Sequence, residues 1–68
     1  MEKNLLYIAL RKAYEAERDE ALAVMTIFFE NPTGVAEHTV FIEDLKKYTR
    51  QLADADECLR TLEIHFEK

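Results

Sequence analysis

Sixty-eight residues, 49% of them hydrophobic types and 34% charged, have the balance of one small globular domain, which excludes a disordered chain. Fourteen acids against nine bases leave a net charge of −5. That excludes general nucleic-acid binding, which depends on neutralising phosphates, and docking on anionic membranes.

The chain opens with MEKNLLYIAL, interrupted at once by Arg11 and Lys12 and followed by no small-residue cleavage site, so it does not read as a secretory signal. No stretch approaches the ~20 apolar residues that span a bilayer, and a cytoplasmic protein is expected. The lone Cys58 has no partner for an intramolecular disulfide, which fits a reducing compartment and a buried apolar thiol.

One Gly and one Pro provide few turns, so long helices are expected. The first runs from about residue 3 to 30, without Gly or Pro and rich in Ala, Leu, Glu and Arg. Leu6, Leu10, Ala13, Val24 and Ile27 form a seam on it, interrupted by Glu17 and Glu20. Tyr7, Tyr14, Ala21 and Phe28 form a second row at spacings of seven, and Ile8, Leu22 and Phe29 lie on a third side. A helix that is apolar around most of its circumference needs cover on more than one side.

A loop over about 31–37 follows, marked by Asn31-Pro32-Thr33-Gly34: Pro32 biases Asn31 away from helical geometry, and Gly34 takes positive φ at little steric cost. The second helix spans about 38–66, with His38 or Thr39 as its candidate cap. Phe41, Leu45, Tyr48, Leu52, Ala55, Leu59, Leu62 and Phe66 recur on it at alternating steps of four and three, a heptad seam. Glu43–Lys47 and Asp56–Arg60 are favourably oriented i,i+4 pairs on its outer surface. The connection Asn31-Pro32-x-Gly34-x-x-Glu37-His38, followed by this acid-rich heptad helix, resembles a segment of small uncharacterised helical proteins of tailed bacteriophages. The resemblance implies an accessory protein made in a bacterial cytoplasm; it implies no activity, and the motif residues read as loop-shaping.

Two helices of about 40 Å joined by a short loop predict an all-α, coiled-coil-like antiparallel hairpin. Pairing about the loop sets Leu6 against Leu62, Leu10 against Leu59, Ala13 against Ala55, Val24 against Leu45 and Ile27 against Phe41. Glu20 then falls beside Tyr48 and Glu17 near Leu52, where the acids either reach water or hydrogen-bond to Tyr48 or Arg50, and an exit to water or a register-fixing role is expected. A hairpin buries one stripe per helix, too little for a domain without a covalent staple. The sequence therefore predicts a four-helix bundle built from a homodimer or higher oligomer. Leu5, Ile8, Tyr14, Leu22, Met25, Phe28 and Phe29 are the expected interface.

Catalytic chemistry finds no footing. Glu63 and His65 are two residues apart where a di-metal site needs Glu-x-x-His, and Cys58 and His65 stand about 10 Å apart along the helix. There is no Ser and no Gly-rich phosphate loop, so neither an enzyme nor a cofactor is expected. The expected role is a protein-interaction or regulatory module, in the phage setting one that binds and inhibits a host protein. The alternatives are a nucleotide-binding oligomer using a patch of Arg18, Lys46, Lys47 and Arg50, and a structural or scaffold component.

Overall fold

The computed structural model describes residues 4–30 and 38–67, with the side chains of 38–41 outside that description. The loop residues Asn31–Glu37, a first-helix start at residue 3, the capping roles of His38 and Thr39 and the seam position of Phe41 all lie outside the described residues.

Helix α1 is Leu5–Glu30 and helix α2 is His38–Phe66. Asn4 starts α1: its side-chain Oδ1 accepts from the backbone N–H of Leu6 at 2.7 Å and of Tyr7 at 3.3 Å. Its own carbonyl accepts the first helical bond, from Ile8 N–H at 3.0 Å. This is N-capping by a short amide, which satisfies donors that the first turn leaves without helical partners. At the far end of α2, His65 stands in the last turn, its ring edge-on to Phe66 with centroids 6.3 Å apart.

The helices pack side by side and antiparallel. Near the start of α1, Arg11 reaches Glu63 and Glu67; midway, Gln51 meets Glu17 and Glu20; further on, the Thr49 hydroxyl lies 4.0 Å from the Met25 sulfur. The result is a rod of 52 × 15 × 15 Å. Its radius of gyration is 15.5 Å, against about 11 Å for a compact domain of this length.

Side-chain burial corrects the expected seam of α1. The side turned towards α2 carries Tyr7, Arg11, Tyr14, Arg18, Ala21, Met25 and Phe28, a heptad row one residue along from the expected one. Leu6 is 81% exposed and Ile27 60%, and Leu10 and Ala13 are exposed as well; of the expected α1 seam only Val24 is partly covered. On α2 the stripe turns inward as Leu45, Tyr48, Leu52, Ala55, Leu59 and Leu62, but Phe66 at its end is exposed. The cross-helix contacts carry the register along the rod, setting Tyr14 level with Leu59, Arg18 with Ala55, Ala21 with Leu52 and Phe28 with Leu45. That is a slide of roughly one helical turn from the expected pairing, and the Ala13–Ala55 layer does not form.

The buried core of the described residues is Ala21, Ala55, Leu59 and Leu62, and none of the large side chains is fully enclosed.

Candidate interaction surface

Three polar arrangements hold the two helices in register. At the open end of the hairpin, the Arg11 guanidinium bonds Glu15 on its own helix at 3.0 Å and, across the seam, Glu63 at 2.9 Å and Glu67 at 3.0 Å. The Tyr7 hydroxyl donates to the same Glu67 carboxylate. The hydrogen bond to Glu63 is the main cause holding the Arg11 proton more tightly than usual, while partial desolvation, then the bond to Glu67, raises the Tyr7 phenol above its ordinary value. In the middle, Gln51 Nε2 donates to the Glu17 carbonyl and the Glu20 carboxylate, each at 2.8 Å. Gln51 thus takes the partner role that sequence had given to Tyr48 or Arg50.

Between these lies Tyr14, whose phenol shares a hydrogen bond with the Cys58 thiol across the seam. That contact, then the electrostatic influence of the same side chain and desolvation, raise the phenol's pKa. Cys58 is half-buried, and its neighbour is this tyrosine, with His65 a heptad further along the helix. Among the described residues no group of three metal-ligating side chains comes together, and no helix is long and apolar enough to cross a membrane.

The basic patch is divided. Lys46 and Arg50 border a shallow hollow with Ile42, Leu45 and Thr49, whereas Arg18 borders a different one with Asp56, Glu57 and Arg60. Lys46 approaches Glu43 at 3.9 Å, Lys47 lies over the Tyr48 ring at 5.2 Å and Arg18 holds Asp19 at 3.2 Å. Lys47 therefore turns to the aromatic ring where sequence had paired it with Glu43. The four cations do not converge on one ligand.

Large apolar side chains also stand on the surface. On α1, Leu5 is 80% exposed and Phe29 65%, with Leu6, Leu10, Leu22 and Ile27 also open to solvent; on α2, Ile42, Ile64 and Phe66 are large apolar residues that are exposed. Of the seven residues expected at a subunit interface, Leu5, Leu22 and Phe29 are outside, while Ile8, Tyr14, Met25 and Phe28 are half-buried. On α1, most of the expected seam faces solvent, while Tyr14, Met25 and Phe28 of the expected interface lie on the inward row. Accessible area totals 5476 Å². A compact monomer of 8.0 kDa exposes about 4,500 Å², so the hairpin shows roughly 1,000 Å² more than its mass requires. The chain matches no protein-family model, no curated protein and no solved structure.

Proposed function

We propose that this chain is a non-enzymatic interaction module that self-associates, two hairpins combining through exposed apolar side chains of α1 into a four-helix bundle. The observation that carries the reading is the excess of about 1,000 Å² of surface over a compact monomer, of the same order as the ~800 Å² that each partner buries in a standard interface. The small core supports it too, because four buried side chains among the described residues are few to offset the conformational entropy of ordering two long helices. In this reading the bundle acts by binding another protein, and the net charge of −5 suits a target with a basic surface. The phage resemblance supports a host protein as that target.

Light scattering at micromolar concentration tests the assembly, with a particle of at least twice 8.0 kDa expected. A particle of 8.0 kDa overturns it. Affinity capture from bacterial lysate at low salt tests the partner, and failure to retain any protein counts against a binding role. A melting temperature raised by nucleoside triphosphates would instead favour ligand binding.

A further inference from the structure

Resting on the self-association reading above, we propose that the second copy docks on the outer side of α1 in an antiparallel crossing whose two-fold axis passes near Ala16. Along the side of α1 turned away from α2, Leu6, Ala9, Ala13, Ala16, Glu20, Ala23 and Ile27 recur at alternating steps of three and four, and all seven are exposed. Large side chains stand at the two ends of this stripe, Leu6 at 81% and Ile27 at 60% exposed, and alanines fill the middle.

A two-fold contact requires the same surface to complement itself. Reversing a partner helix about Ala16 brings Leu6 onto Ile27 and Ala9 onto Ala23, so each apolar end covers the other. The alanines permit an interaxial distance near the lower end of the usual 8–10 Å. Glu20 is the one charge on the stripe, and Gln51 draws its carboxylate sideways at 2.8 Å, towards α2. In the reversed crossing Glu20 faces the small Ala13. In a parallel crossing the two copies of Glu20 would meet each other, and like charges in contact work against association. The same docking leaves the outer side of α2, with its hollow at Ile42, Lys46 and Arg50, facing solvent for a different partner.

Single-cysteine variants in a Cys58→Ser background test the arrangement, since a disulfide forms only where Cα atoms approach within about 7 Å. Under mild oxidation Ala16→Cys is expected to cross-link to itself. Ala9→Cys and Ala23→Cys are each expected to stay reduced alone and to cross-link when mixed. A dimer by light scattering in which Ala9→Cys bridges to itself as fast as Ala16→Cys overturns the antiparallel crossing while sparing self-association. A monomer by mass overturns both. As a second measurement, Ala13→Glu combined with Ala16→Glu should raise the dimer dissociation constant at least tenfold with helical circular dichroism retained. Dimerisation unchanged by this pair would remove the stripe from the interface.

Discussion

Gln51 and Glu20 meet across the seam at 2.8 Å, and the same Gln51 amide nitrogen reaches the Glu17 carbonyl at 2.8 Å. One side chain on α2 therefore grips both the backbone and a carboxylate of α1, at the point where acids interrupt the apolar run of the first helix. A residue that touches two successive turns reports on axial register more sharply than an apolar contact, because sliding by one residue breaks both bonds. Gln51→Leu should lower stability by about 1 kcal/mol, the usual net worth of such bonds at a partly exposed site, as read from the midpoint of urea unfolding. Glu20→Leu should behave differently. It removes one of the two bonds but extends the outer apolar stripe, so tighter self-association is expected in sedimentation even where monomer stability falls.

The Arg11 clasp ties the start of α1 to the end of α2 through Glu63 and Glu67. All its members touch water, so its contribution is screened by salt. Arg11→Gln should lower the melting temperature at low ionic strength. The gap from the parent should close near 1 M salt, where the Debye length is ~3 Å. A gap that persists in high salt would mean that the aliphatic stem of Arg11, packed over the seam, matters more than its charge.

Leu59 and Leu6 make the clearest contrast between the two faces. Leu59 is 5% exposed and level with Tyr14, whereas Leu6 is 81% exposed. Leu59→Ala should cost about 2 kcal/mol, the low end for a core leucine, and Leu59→Asp should abolish the cooperative unfolding transition by placing a charge in the seam. Leu6→Asp should leave helicity intact and weaken only the assembly. Circular dichroism and light scattering on the same samples separate the two effects.

That contrast also shows where sequence reading succeeded and where it failed. The α2 stripe was legible because only one of its faces is apolar: Leu45, Leu52, Leu59 and Leu62 repeat with charges on the remaining sides. On α1 several rows compete, and the row that turns inward contains Arg11 and Arg18, which count as polar in any pattern. Their side chains resolve the conflict physically. Both side chains are largely covered, at 27% and 35% exposed, while the guanidinium groups reach Glu63 and Glu67 or Asp19, so a long arginine can occupy an inward position that a shorter charge cannot. The Asn4 cap was legible in principle, as an amide residue standing just before the apolar run Leu5–Leu10. The Gln51 grip was not, since it depends on an axial register that periodicity alone leaves free by a turn.

Tyr7 and Tyr14 give the fold a dependence on alkaline pH. Both phenols keep their proton above the ordinary value of 10.0, Tyr7 chiefly through desolvation and Tyr14 through its bond with Cys58. In the unfolded chain the phenols ionise near that ordinary value. As pH rises past it, the unfolded state therefore binds fewer protons than the folded state, and stability falls. Below pH 10.0 these two groups contribute no slope. Melting temperatures of the parent should drop between neutral pH and the upper end of the alkaline range. The double variant Tyr7→Phe, Tyr14→Phe should flatten that decline above pH 10.0. Tyr14→Phe alone should remove part of the slope and free the Cys58 thiol from its phenol, which faster labelling by a thiol reagent would register. An alkaline limb unchanged in the double variant would place its origin elsewhere in the hairpin, with the Arg11–Glu63 clasp the next group to vary.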